Sequence, residues 1–243
     1  MTRIFLDHLI PDKGTIELTG EKVHYLSSVL RSAPGHTLIV SDPSGAAYRA
    51  SIVSISRKNA TLEIEERCEP APESPLEITL IQGLLKGDKM DLVIQKASEL
   101  GVRQLLPAIT ERSQVRETRK LSRWQKIAEE ASRQCGRSVV TAVLEPQEFG
   151  SSLQILGRHA AGIIFWEQSR SPFSSALHAC RDKKQLTLCI GPEGGFSEQE
   201  VTEAAAKGFA VASLGGRTLR AETAAIAAVS VTQYVLGDLS GES

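Results

Sequence analysis

Residues 188–200 read Leu-Cys-Ile-Gly-Pro-Glu-Gly-Gly-Phe-Ser-Glu-Gln-Glu. An apolar run ends abruptly at Gly191-Pro-Glu-Gly-Gly195, and Ser197 with Glu200 then forms the Ser-x-x-Glu signature of a capped helix start. The pattern is strand, tight turn, helix, the unit of a parallel sheet whose ligands bind beyond the carboxyl ends of its strands. Glycine in the turn permits φ > 0 and lets backbone approach a ligand closely. The turn is neither G-x-G-x-x-G nor G-x-x-x-x-G-K-[ST], and Glu193 would repel a phosphate. The glutamate suits a ligand with positive charge or hydroxyl donors. Taken alone, the stretch is equally compatible with a turn that holds nothing.

The texture around it supports the sheet. Short apolar runs at 76–82, 104–109, 139–144, 162–166, 186–190 and 210–214 are expected strands. Helical patterns cover 89–100, 120–136, 174–181, 198–208 and 222–236, so a parallel sheet covered on both faces is predicted. Residues 1–68 differ. Runs at 3–6, 15–18, 36–41, 46–55 and 61–66 are rich in Ile, Val, Leu and Thr, with a single helix at 21–31. A small, mostly antiparallel barrel fits that half. Between the halves, Cys68-Glu-Pro-Ala-Pro-Glu-Ser-Pro75 carries three prolines and predicts a stiff connector. The expected division is a barrel domain at 1–70, a linker at 71–75 and an α/β domain at 76–243.

Composition narrows the function classes. Of 243 residues 41% are hydrophobic, enough for a packed core, and 28 Lys+Arg against 29 Asp+Glu leave a formal net charge of −1. A globally basic nucleic-acid binder is excluded, although a local basic surface is not. Four dispersed cysteines, with no C-x-x-C pair and no histidine at ligand spacing, argue against a metal site and for a reducing, cytoplasmic setting. The N-terminus has no apolar leader and no run of 18 apolar residues occurs, so no membrane segment is expected.

Two further stretches carry chemistry. Ala212-Ser-Leu-Gly-Gly-Arg-Thr-Leu-Arg-Ala-Glu-Thr223 is a second glycine-rich strand end, leading into an alanine-crowded helix. With the 191–195 turn it makes a plausible pocket, with Arg217, Arg220 and Glu222 at its mouth. The bland alternative for Arg220 and Glu222 is a surface pair worth about 0–1 kcal/mol. Between Arg112 and Lys126 stand six basic residues (Arg112, Arg116, Arg119, Lys120, Arg123, Lys126) against one acid, Glu117. Such clustering supplies sequence-independent affinity for a polyanion, though a charge run is also the ordinary solvated face of a helix. Trp124 within it would either stack on a base or sit in the core.

Several of these stretches together resemble the RsmE family of 16S ribosomal RNA (uracil-N3)-methyltransferases, of the SPOUT class. The resemblance lies in Lys86-Gly-Asp-Lys-Met-Asp-Leu-Val-Ile-Gln-Lys-Ala-Ser-Glu-Leu-Gly101, Glu111-Arg-Ser, Glu130-Ala-Ser-Arg-Gln-Cys-Gly-Arg137, Ile190-Gly-Pro-Glu-Gly-Gly-Phe-Ser-Glu-Gln-Glu200 and Leu214-Gly-Gly-Arg-Thr-Leu-Arg-Ala-Glu-Thr-Ala224, in the family's order. His24-Tyr-Leu-Ser-Ser-Val-Leu-Arg31 resembles its N-terminal motif. Val139-Val-Thr141 departs from the Val-Pro usual there.

The resemblance implies a SPOUT-type α/β domain with a C-terminal trefoil knot, preceded by a PUA-like β-barrel that binds RNA. No pattern in the residues indicates the knot. It also implies S-adenosylmethionine as methyl donor, a homodimer, and 16S rRNA as partner, free or in the assembled small subunit. Carried over, the cofactor walls are Ile190, Gly191, Glu193, Gly194 and Gly195; then Leu214, Gly215, Leu219 and Thr223; then Phe165, Trp166 and Glu167. Methylating N3 requires loss of its proton, so Arg220 is the candidate for stabilising the developing anion and Glu222 for general base. Arg3, Arg31, Arg112, Arg123 and Arg137 are the candidate RNA contacts. The competing readings are a methyltransferase for another RNA base or position, and a non-catalytic RNA-binding module. A nucleotide-dependent α/β enzyme is disfavoured by the missing phosphate signatures.

Overall fold

The computed structural model describes residues 2–11, 13–155 and 161–241. The chain divides into two compact units: residues 1–72 with 132–140, and residues 73–131 with 141–243. The sequence reading placed 132–140 wholly in the second domain.

The first unit is built on five strands: β1 (Arg3–Phe5), β2 (Gly14–Thr19), β3 (Thr37–Ser41), β4 (Ala47–Ile55) and β5 (Asn59–Cys68). Their order is β1-β3-β4-β5-β2. β1 pairs parallel with β3 and the other three pairings are antiparallel. Alternation explains the sheet: in β5, Ala60, Leu62 and Ile64 point into the core while Glu63 and Glu65 face water. Register shifts at Arg49/Ala50 and Ile52/Ser54 bend β4, as bulges do in small barrels. Helix α1 (Glu21–His24) does not continue regularly to residue 31 as expected. It widens into a π-helical turn over Tyr25–Val29, and Arg31 leaves it with a left-handed φ of 50°. Val23 and Leu26 are its buried residues, in one core with Ile4, Leu38, Ile52 and Leu62.

The second unit is a parallel sheet. Along the chain come β6 (Glu77–Gly83), α2 (Lys89–Glu99), β7 (Gln104–Ile109), α3 (Leu121–Gln134), β8 (Ala142–Val143), β9 (Gln147–Glu148), α4 (Phe149–Ile155), β10 (Ala161–Phe165), α5 (Phe173–His178), β11 (Gln185–Ile190), α6 (Glu198–Ala206), β12 (Ala210–Ala212) and α7 (Ala221–Leu236). The sheet order is β12-β10-β11-β6-β7-β8, with β9 also on β7. All its pairings are parallel.

Both faces are buried, which is why the strands read as unbroken apolar runs. Register aligns Leu106, Ile81, Cys189 and Ile164 across four strands, and this row packs under Phe149 and Leu153 of α4 and Val201 and Ala204 of α6. One residue earlier, Leu105, Leu80, Leu188 and Ile163 form a fully buried row on the opposite face. Each such side chain contributes roughly 1.5–3 kcal/mol by leaving water. The expected strand at 139–144 shrinks to Ala142–Val143, because Val139 and Val140 belong to the first unit. Helix α4 went unread. Its Gly150, Ser151 and Ser152 are weak helix formers, and packing of Phe149 and Leu153 decides it.

Candidate functional site

The carboxyl ends of β10, β11 and β12 and the loops that follow them enclose one cavity of about 910 Å³. Register brings them level: Ile190 ends opposite Gln82, and Phe165 opposite Ala212. The turn after β11 is held from several sides. Pro192 O accepts from Gly195 N–H at 2.9 Å, and Gly195 is left-handed, φ 68°. A Cβ on Gly191 would lie 3.0 Å from the backbone of Gly195, so any side chain there would push the turn open by a few tenths of an ångström. Ser197 caps α6 in the reciprocal box expected, accepting from Glu200 N–H and donating its own N–H to Glu200 Oε2 at 2.9 Å. The other carboxylate oxygen of Glu200 accepts Glu111 N–H, tying the helix start to the loop after β7.

Glu193 answers the question its sequence raises. Its carboxylate accepts from Lys89 Nζ at 2.9 Å and from Lys86 N–H at 3.2 Å, so the glutamate anchors the turn to the start of α2. Burial would raise its pKa, but the Lys89 hydrogen bond, bonds from backbone N–H groups and the Lys89 charge outweigh that and hold the carboxyl below its ordinary range. Arg112 Nη1 donates to Gly194 O at 3.1 Å, a second anchor. Gln82 is a third. It is completely buried at the end of β6, and its Nε2 donates to Gly83 O and to Gly191 O at 3.2 Å. Its Oε1 has no partner among the described residues. A lone glutamine closing an apolar run was the signal, and the sequence reading passed over it.

Of the candidate cofactor residues, Phe165, Trp166, Glu167, Ile190, Gly191, Glu193, Gly194, Gly195, Leu214, Gly215 and Leu219 line the cavity. Thr223 is not among its lining residues. Arg220 lines it from the N-cap position of α7, whereas Glu222 does not. Glu222 is half-buried, with Oε2 unpartnered among the described residues. Lining residues missing from the sequence reading include Lys89, Arg170, Ser171 and Pro172. Lys89 opens α2 and the other three sit in the loop after β10, and only the fold brings them to the strand ends.

A family model described as an RNA methyltransferase domain matches residues 72–233, and one described as an RNA methyltransferase PUA domain matches residues 18–65. A ribosomal RNA small subunit methyltransferase E of Bacillus subtilis is 31% identical, with all of both chains covered. This chain belongs to the ribosomal RNA small subunit methyltransferase E family. Another member, from Synechocystis, is 34% identical over 92% of this chain and 74% of its own. A crystal structure of the Neisseria gonorrhoeae member bound to S-adenosyl methionine superposes with a TM-score of 0.91, at 34% identity over 98% of this chain and 99% of that one. The fold expectation holds in both halves: a PUA-type unit precedes the parallel α/β sheet that this RNA methyltransferase family shares.

The candidate RNA contacts of this family member divide by environment. In the second unit Arg112 and Arg123 are exposed, but Arg123 is committed to Asp91, with Nη2 2.6 Å and Nε 2.9 Å from Oδ2. Trp124 is core, 2% exposed, and its Nε1 donates to Asp91 Oδ1 at 3.0 Å, which decides against a base-stacking role. In the first unit Arg31 is exposed, whereas Arg3 donates to Ser41 and Ser138 at 3.1 and 2.8 Å. Arg137 is buried, 8% exposed, and offers little surface to a polyanion. Arg133 instead stacks over the Tyr25 ring, 4.4 Å from its centroid. Among the described residues no helix is long and apolar enough to cross a membrane, and no acidic, His or Cys cluster is arranged for a metal ion.

Proposed function

We propose that this protein transfers a methyl group from S-adenosylmethionine to N3 of a uridine in 16S ribosomal RNA. The observation that carries the reading is the cavity at the ends of β10, β11 and β12, walled by the 191–195 turn, in a chain whose relatives are named for small-subunit rRNA methylation and include one bound to the cofactor. The residues fit that group. The volume lies at the upper end of ordinary small-molecule sites. Phe165, Ile190, Leu214 and Leu219 offer apolar surface, the glycine turn offers bare backbone, and Glu167 offers a carboxylate without a salt-bridge partner among the described residues. Bound there, S-adenosylmethionine supplies an electrophilic methyl group.

The chain's own residues do the rest. Arg220, at the N-cap of α7, places a cation and the positive end of the helix where a uracil carbonyl gains charge as N3 loses its proton. Glu222, the expected general base, does not line the cavity and its unpartnered Oε2 is buried, so that carboxylate cannot take the proton directly and water is assigned as the acceptor. The turn anchors at Lys89, Arg112 and Gln82 hold the donor site still, which is where positioning gains its rate. Because N3 is hidden in a base pair, the target uridine is unpaired or drawn out of its helix.

The PUA-type unit, 1–72 with 132–140, is assigned to RNA binding, with Arg31 as its exposed contact. The protein works as a homodimer in the cytoplasm, with the knotted chain end that goes with the family. Val231, Tyr234 and Val235 are 42%, 65% and 45% exposed on α7, an apolar stripe that a second copy would cover. All four cysteines are free thiols, which suits a reducing compartment.

The test is mass spectrometry of rRNA from cells lacking the protein, restored with wild-type or Arg220→Ala. Loss of N3-methyluridine in the deletion, restored by wild type alone, is the expected result. An unchanged rRNA modification map in the deletion sinks the reading.

A further inference from the structure

Four basic residues line the cavity, Lys89, Arg170, Arg217 and Arg220, against two acids, Glu167 and Glu193. Lys89 and Glu193 neutralise one another. Arg170 and Arg217 have no carboxylate within 4.0 Å and no hydrogen bond among the described residues, unlike Arg112 and Arg123. They come from different loops, Arg170 after β10 and Arg217 after β12. Those loops are fastened together: Trp166 N–H donates to Ala212 O, Ser213 N–H to Ser171 O at 2.9 Å, and Ser169 Oγ to Val211 O. Pro172 and Ser213 form a parallel bridge. The two guanidinium groups therefore hang from backbones held at fixed spacing, while both side chains stay exposed.

The cofactor has a single carboxylate, which one arginine would satisfy, beside its sulfonium and ammonium, so two unpaired cations exceed what it can pair, and like charges in a partly enclosed site repel. We infer that Arg170 and Arg217 form a subsite for the phosphodiester next to the target nucleotide, so that the cavity takes a nucleotide of a polyanionic strand and discriminates against a free nucleoside. The inference rests on the methyltransferase reading above. Arginine's planar fork matches two phosphate oxygens, and a charge-assisted bond of this kind is the stronger sort. The phosphate's negative charge offsets one of the two arginine charges and so eases their repulsion of each other and of the sulfonium. Arg220 remains with the base.

The experiment uses the full-length protein saturated with S-adenosylhomocysteine. It is titrated calorimetrically at low salt with a uridine-centred ribotrinucleotide and with the same trimer carrying neutral methylphosphonate linkages. Wild type binds the charged trimer at least about tenfold more tightly. Arg170→Gln and Arg217→Gln each erode that preference, the double variant abolishes it, and Arg217→Lys keeps part of it. Affinity for S-adenosylhomocysteine stays at the wild-type value throughout. Equal affinity of wild type for the two trimers, or binding of neither, overturns the inference. So does a loss of S-adenosylhomocysteine affinity in the variants with the trimer preference intact, which would assign the arginines to the cofactor carboxylate. Failure of the wild type to bind S-adenosylhomocysteine is a separate result and strikes the parent reading.

Discussion

Gly83 closes β6 against the cofactor turn, and replacing it with alanine tests whether that turn must sit where it does. A Cβ at residue 83 would lie 2.5 Å from Pro192 N, 2.6 Å from Pro192 Cδ and 2.9 Å from Gly191 C. Ordinary contact begins at 3.4 Å, so the turn or the strand must move by about 0.9 Å. The neighbours are backbone and a proline ring, and neither can rotate aside. The strand is pinned by its pairing with Ala108 and Ile190 is pinned to Gln82, so the displacement falls on 191–195. Overpacking of this size costs about 1–3 kcal/mol of stability. A misplacement near 1 Å at a reacting site is worth up to about a hundredfold in rate.

Gly83→Ala is therefore expected to lower Tm by several degrees, weaken S-adenosylmethionine binding in calorimetry, and reduce methyl incorporation into small-subunit rRNA by more than the binding loss. The control is Gly216→Ala. Gly216 lines the same cavity, has ordinary φ, and a Cβ there meets nothing within 4 Å, so its stability should match wild type. A Gly83→Ala protein with wild-type Tm and cofactor affinity would refute the reasoning.

Ser197→Ala removes one half of the capping box on α6 and should cost about 1 kcal/mol, a Tm fall of roughly 2–4 °C for a chain of this size, read by calorimetry. Glu193→Gln and Lys89→Met should each weaken cofactor binding, with the double variant no worse than either single, because the glutamate acts through the lysine. A large loss for Glu193→Gln beside a neutral Lys89→Met would instead put the carboxylate on the ligand. In the first unit, Asp42 is buried, which would raise its pKa, but hydrogen bonds from the Ser44 hydroxyl and from Ile10, Ser44 and Ala46 N–H groups pull it below its ordinary value. A folded pKa below the unfolded one stabilises above the unfolded carboxylate range, and the benefit is lost as pH falls through the folded value. Urea unfolding at descending pH should show the gap between wild type and Asp42→Asn closing in acid, and a constant gap would contradict it.

Much of the molecule was legible because its signals are local. The period-2 alternation of residues 60–65 and the largely apolar runs 186–190 and 105–109 report burial on one face or on two, and a strand's burial is written into its own residues. The Ser197–Glu200 box is likewise a contact between residues three apart. The glycine turn and the 214–220 loop declared the pocket because Gly195 and Gly215 take positive φ and a Cβ on Gly191 would crowd the turn's own backbone.

What the sequence left undetermined depends on contacts between distant positions. Glu193 looked like a group facing a ligand, and only the fold puts Lys89, 104 positions away, on its carboxylate. Trp124 sits in a basic stretch that predicts a wet face and Arg137 is an expected RNA contact, and packing buries both. Gln82 and Arg170 carry no motif of their own. The parallel register brings the ends of β10, β11 and β12 level, and that alignment gathers the side chains of their loops around one cavity. Local propensity and spacing decide elements, because they act between near neighbours in the chain. A site assembled from three strand ends exists only once the sheet has chosen its order.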